Sequence, residues 1–104
     1  MVKIFLAAGC NGDYSDHRSW NVRAFLRKQE AVDFVNKLIA WANQVETDMK
    51  AADDYYDILD ELEDNRKSLL DPHFYHYGDE MPHYYVEGVE LSENDEPLIE
   101  GVLL

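Results

Sequence analysis

The sequence predicts a small α+β domain of the order ββα(α)β, with one long or two shorter helices on one face of a three-stranded, mostly antiparallel sheet. Two stretches of strand-forming residues flank a turn signal, a long stretch of helical periodicity follows, and one more alternating stretch comes after a loop. A chain of 104 residues suffices for one such domain. Placing the helices on one face of the sheet lets both layers bury their apolar sides.

The first two strands are predicted to form a β-hairpin. Residues 2–8 are an apolar run, and residues 9–13 are rich in glycine and asparagine, which tolerate turn conformations. Strand character resumes at residues 18–26. Alternation then predicts one shared face for Trp20, Val22, Ala24 and Leu26.

A helix is predicted from Lys28, because apolar residues recur at steps of three and four. The pattern continues through Leu59 and, less regularly, to Arg66 and Leu70, with Asp71-Pro72 as its predicted end. Either one helix of about 40 residues forms or two helices break near residues 49–53; the small domain favours two. The predicted buried stripe of the first part is Ala31, Val35, Leu38, Ala42, Val45 and Met49, widened by Phe34 and Trp41.

Residues 83–91 alternate as a third strand and complete a predicted domain of residues 1–91. Residues 92–104 form an acidic tail with an apolar end, which we expect to dock on the core or on a partner. The lone Cys10 excludes an internal disulfide, and no segment has the roughly 20 apolar residues of a membrane span. A cytoplasmic protein is therefore expected.

Negative charge is concentrated in the second half of the chain. Residues 1–45 carry six Lys/Arg and four Asp/Glu, whereas residues 46–104 carry three and eighteen, for a net charge of −13. Such a field repels nucleic acid and anionic membrane and favours a basic protein surface as the partner.

Parts of the chain resemble a known group of proteins. The opening Val-Lys-Ile-Phe-Leu leads to Tyr14-Ser15-Asp16, and a second strand precedes Glu30-Ala31-Val32-Asp33-Phe34. Residues 2–42 and 84–91 thereby resemble small phage and prophage proteins with a "YSD" hairpin before an amphipathic helix. The resemblance implies a phage context, a host-cell cytoplasm and the ββαβ plan, but no activity.

The strongest candidate site is an acidic row. Asp53, Asp57, Asp60 and Asp64 recur at helical spacing and share one face, and Asp54 and Glu61 flank them. Each step of four residues advances about 6 Å along the axis, which is comparable in scale with phosphate spacing along a nucleic-acid strand. The row therefore predicts either a face that mimics nucleic acid or a merely solvated acidic surface.

A loop rich in histidine and tyrosine is the second candidate. His73, His76 and His83 are potential metal ligands, although their spacing matches no strong metal signature. Alternatively, Tyr75, Tyr77 and Tyr84 form a rigid aromatic surface for a partner, or fill the core.

No catalytic signature is present, since Cys10 with His17 lacks a surrounding motif and a predicted pocket. We therefore expect no enzyme, no cofactor and no direct binding of nucleic acid. The predicted function is inhibition of a host nucleic-acid-binding protein, such as a defence nuclease, by mimicry. The alternative is a structural or regulatory homo-oligomer, with a homodimer as its simplest form.

Overall fold

The computed structural model describes residues 2–13, 15, 17–51, 55–77 and 80–91, with residues 55, 56 and 91 described by backbone only. It confirms the α+β fold and the presence of two helices. The elements in chain order are β1 (Val2–Asn11), β2 (Arg18–Phe25), α1 (Lys28–Ala51), α2 (Tyr55–Asp64), a 3₁₀ turn (Arg66–Ser68) and β3 (His83–Leu91).

The three described strands form an antiparallel sheet in the order β2-β1-β3. The central strand is longer than predicted, because Gly9 and Cys10 pair with both neighbours instead of opening the turn. Asn11 ends β1, and the turn begins at Gly12, which has a positive φ of 91° that suits glycine. Cys10 is thus part of a strand and not of a hairpin tip.

A β-bulge in β2 changes the predicted alternation. Ala7 pairs with Arg23 and Ala8 with Asn21, so Val22 is the extra residue. Val22 packs with the core under the helices, whereas Ala24 joins Ile4 on the other side of the sheet. The prediction of one shared face from Trp20 to Leu26 is therefore wrong, and Leu26 is 63% exposed.

Helix α1 packs across all three strands through the predicted stripe. All six residues predicted to be buried are buried, and Phe34 and Trp41 pack beside them. Helix α2 adds Leu59 to the same core. Within the described ranges, neither helix combines the length and apolar character that crossing a bilayer requires.

Helix α2 ends earlier than Asp71. Its last residue is Asp64, and Asn65 then turns the chain by donating from its side chain to the Glu61 carbonyl oxygen at 2.9 Å. Arg66 and Leu70 are exposed and do not extend the buried stripe, which corrects the predicted end. Side-chain hydrogen bonds to nearby backbone favour such turns over continued helix.

The structure explains why glycine stands at position 9 in the central strand. A Cβ atom built there lies 3.0 Å from the ring atoms of Trp20 and Tyr84, closer than normal packing allows. At Gly88 in β3, the nearest atom is Cε of the flexible Lys3 side chain, at 3.3 Å. Of these two glycines, only Gly9 has rigid rings in the space that a methyl group would occupy.

Gly9→Ala should therefore lower the free energy of unfolding by about 1–3 kcal/mol, because the rings must shift to admit a methyl group. Gly88→Ala is the matched control and should change it by less than about 1 kcal/mol. Urea denaturation of both variants measures the difference. Equal effects at the two positions would contradict the close-packing argument.

Candidate functional site

The acidic face of α2 is set by what the helix buries on its other side. Leu59 is fully buried, and Ile58 and Leu62 pack partly buried against the same core. The opposite side chains therefore face solvent. The exposed carboxylates of this acidic face are Asp57, Asp60, Glu61 and Asp64.

These described carboxylates have little compensation within the fold. Helix α2 has no basic residue in its last turn, and none of its described carboxylates forms an ion pair with Lys or Arg. Acidic residues at the C-terminal end of a helix also oppose its dipole. The predicted members Asp53 and Asp54 lie outside the described residues.

His76 joins the loop to the acidic face. Its Nε2 lies 3.8 Å from Oδ1 of Asp60 and 3.5 Å from Oε1 of Glu63. Its backbone N–H also donates to Oε1 of Glu63 at 3.4 Å, and the imidazole is largely buried. The His76 side chain thus connects the loop to one edge of the acidic face.

The three histidines do not converge on a metal site. His76 faces Asp60 and Glu63, His83 contacts Oε1 of Glu80 at 3.1 Å, and His73 is exposed. Within the described ranges, no group of three His, Cys, Asp or Glu side chains is arranged to hold a metal ion. The predicted metal site is thus not formed by these three described residues, because their rings lie in different surroundings.

The three tyrosines also differ in their surroundings. Tyr84 is buried in the core, so its side chain is used inside the fold and the prediction of a partner contact for it does not hold. Tyr75 is half-buried; the guanidinium of Arg18 lies 4.4 Å from its ring centre, and its ring is nearly perpendicular to that of Trp20. Tyr77 is half-buried and pairs through its backbone with Glu80. Partner contact by Tyr75 and Tyr77 stays a prediction.

Asp71 accepts three hydrogen bonds near this loop, although the sequence indicated only the end of a helix there. Its side chain is fully buried, yet Oδ2 accepts hydrogen bonds from Trp20 Nε1 at 2.9 Å and from Tyr84 Oη at 2.7 Å. Its Oδ1 accepts from the backbone N–H of His73 at 2.9 Å. Hydrogen bonds to a buried charge replace the water that the carboxylate loses.

Asn11 fixes the same loop from the end of β1. Its side-chain amide donates to the carbonyl oxygens of Tyr75 at 3.0 Å and Glu80 at 2.9 Å. Its side-chain oxygen accepts from the Gly12 N–H at 2.9 Å. Asn11 is therefore a buried anchor, although the local sequence indicated only a turn.

The environment of Tyr84 stabilises its protonated hydroxyl. Burial has the largest effect, followed by the negative charge of Asp71 and the hydrogen bond to it, and together they raise the pKa of Tyr84 far above its ordinary value. The pKa of the neighbouring Tyr85 is also raised, first by burial and then by Cys10 and Glu87.

Tyr84→Phe should lower the free energy of unfolding at neutral pH by about 1.5–3 kcal/mol, because a hydrogen bond to a buried carboxylate is lost. Tyr85→Phe is the control, since that side chain is partly exposed. Chemical denaturation followed by tryptophan fluorescence measures both. A Tyr84→Phe variant as stable as Tyr85→Phe would contradict the role assigned to Asp71.

The stability of the wild type should fall as pH rises above about 10, the ordinary pKa of tyrosine. The unfolded chain then releases the Tyr84 proton while the folded chain retains it, so folding loses about 1.4 kcal/mol per pH unit for this group. Below pH 10 both states are protonated and this dependence vanishes. Tyr84→Phe should remove that part of the slope between pH 10 and 11.5, and an unchanged slope would contradict the assignment.

Comparison with known proteins assigns the chain to no family. No protein-family model matches the sequence, and no curated protein and no solved structure matches it either. The resemblance to small phage proteins therefore stays a prediction.

Proposed function

We propose that this protein is a non-enzymatic inhibitor that presents the acidic face of α2 to the basic surface of a nucleic-acid-binding protein. The observation that carries the proposal is the exposed position of Asp57, Asp60, Glu61 and Asp64 without an ion pair to Lys or Arg. The partner's nucleic acid would compete for the same surface.

The geometry of an α-helix supports mimicry of a phosphate backbone. Asp57, Asp60 and Asp64 follow one another at steps of about 4.5 and 6 Å along the axis. A nucleic-acid strand carries one charge per roughly 3.4 Å of its axis, so the two rows of charge have a similar scale. A groove lined by Lys and Arg can meet either row.

Repulsion between the carboxylates of α2 also favours a cationic partner. Like charges four residues apart, as in Asp57–Glu61 and Asp60–Asp64, destabilise a helix by a few tenths of a kcal/mol each. Burial of Leu59 holds the helix in place despite this repulsion. A cationic partner would relieve the repulsion, and this gain adds to the binding free energy.

The resemblance to phage proteins directs the proposal to a host protein, such as a defence nuclease, in the host cytoplasm. Direct binding of nucleic acid is disfavoured by the net charge of −13. Two cations of β2 are also used internally, since Arg18 stacks on Tyr75 and Arg23 lies over Phe25 and Phe34.

The test compares two triple variants of equal net charge. Asp57→Asn, Asp60→Asn and Asp64→Asn together neutralise the acidic face of α2. Asp33→Asn, Glu46→Gln and Asp48→Asn remove the same charge from exposed positions of α1. A partner is first captured from host lysate on the wild-type protein and purified, and its affinity for each variant is then measured.

The α2 variant should bind at least about tenfold more weakly, whereas the α1 variant should stay within about threefold. Binding should fall steeply with salt, and an oligonucleotide that the partner binds should displace the protein. Equal losses in both variants, or no displacement by nucleic acid, would contradict mimicry. Recovery of the bait alone as a dimer or larger assembly would favour the homo-oligomer instead.

A further inference from the structure

A groove lies between β2, the first turns of α1 and the segment that follows the 3₁₀ turn. Its volume is about 1040 Å³, and two of the large apolar side chains that the fold leaves exposed lie on it. These are Leu26, which is 63% exposed, and Leu70, which is 40% exposed. Exposed leucines from distant parts of the chain that meet at one groove indicate a contact surface.

An aromatic pair and an arginine line this groove. Phe25 and Phe34 lie with their ring centres 5.5 Å apart, and the guanidinium of Arg23 lies 5.6 Å from each ring centre. A guanidinium over an aromatic face still presents N–H donors at its edge, where a carboxylate can accept two of them. The rings thus hold the Arg23 side chain at the groove while its donors remain available to a ligand.

The charge of the groove differs from that of the chain as a whole. Arg23 and Arg27 line it together with one carboxylate, Glu30, whereas the chain carries a net charge of −13. Among the residues that the structure describes, neither guanidinium forms an ion pair with a carboxylate. A carboxylate ligand would therefore gain two charged hydrogen-bond donors here, although most of the protein repels it.

The combination of cationic and apolar surface favours a peptide as the ligand. Exposed leucine side chains offer no contact to a phosphate backbone, and the net charge of −13 repels the rest of a nucleic acid. The same side chains can pack against Leu, Ile or Phe of a peptide. A small ligand would stay largely in water between such exposed walls, whereas a peptide segment continues beyond them.

We propose that this groove binds an acidic peptide segment of a partner protein, with acidic side chains on Arg23 and Arg27 and apolar side chains on Leu26 and Leu70. No described residue of α2 lines the groove, so this proposal and the proposed function can fail separately. Together, the groove and the acidic face of α2 would let one chain hold two partners of opposite charge.

A library of random peptides displayed on phage tests the groove in the full chain. Peptides are selected on the wild type and counter-selected on a groove variant, Arg27→Gln with Leu70→Ser, which removes peptides that bind the acidic surface instead. The control variant is Lys37→Gln with Ile39→Ser. It loses the same charge at exposed positions outside the groove, and Ile39 is 40% exposed, as Leu70 is. Circular dichroism verifies the fold of both variants, and Leu26→Ser replaces Leu70→Ser if the groove variant does not fold.

The surviving peptides should be enriched in Asp and Glu beside Leu, Ile or Phe. By fluorescence anisotropy, a labelled peptide should bind the groove variant at least about tenfold more weakly and the control variant within about threefold of the wild type. Exchange of its acidic residues for amides should weaken binding to the wild type much more than to Arg27→Gln alone, because both changes remove the same ion pair.

Three results would overturn the proposal. They are the absence of acidic peptides after counter-selection, equal losses of affinity in the groove and control variants, and additive effects of the peptide and Arg27→Gln substitutions. Displacement of the labelled peptide by oligodeoxythymidylate as readily as by unlabelled peptide would show a site for nucleic acid and would overturn it too.

Discussion

The fold depends on one buried carboxylate. Asp71 accepts hydrogen bonds from Trp20 of β2, from Tyr84 of β3 and from the backbone of the loop that follows α2. The two rings meet over Gly9 of the central strand, which explains the absence of a side chain there. The same loop then places Phe74 in the core against Trp41 and His76 beside α2. Leaving a buried charge without its hydrogen-bond donors costs several kcal/mol of folding free energy. Because the donors of Asp71 come from β2, β3 and the loop after α2, this one residue links both edge strands to the helical layer.

Much of the fold could be predicted because it follows from periodicity. The stripe of α1 and the bounds of β3 are local patterns, and hydrophobic burial enforces them. The bulge at Val22 could not be predicted, since one inserted residue leaves no mark on composition yet reverses every later side chain of the strand. The early end of α2 was missed for a related reason: Asn65 competes with the helix through its own side-chain hydrogen bond.

The candidate site likewise contains some features that the sequence could predict and others that it could not. The exposure of Asp57, Asp60 and Asp64 follows from helical spacing opposite Leu59, so sequence alone could indicate it. The contact of His76 with Asp60 and the burial of Tyr84 depend on residues that are distant in sequence. Local composition made the loop appear to be a surface feature. In the fold, Asn11 and Asp71 turn it into a connection between the sheet and α2.

The bulge in β2 has a consequence for how the chain behaves among its own copies. In the described sheet, β2 has a neighbour on one side only, and an open edge is a template on which other chains add strands. The extra residue at Val22 breaks the regular spacing of backbone donors and acceptors that such addition needs. Arg18 and Arg23 also lie along this strand, so strands that stack in register would bring like charges together. The irregularity that re-aims side chains to the two faces of the sheet thus also makes this edge a poorer template for strand addition by other copies of the folded chain.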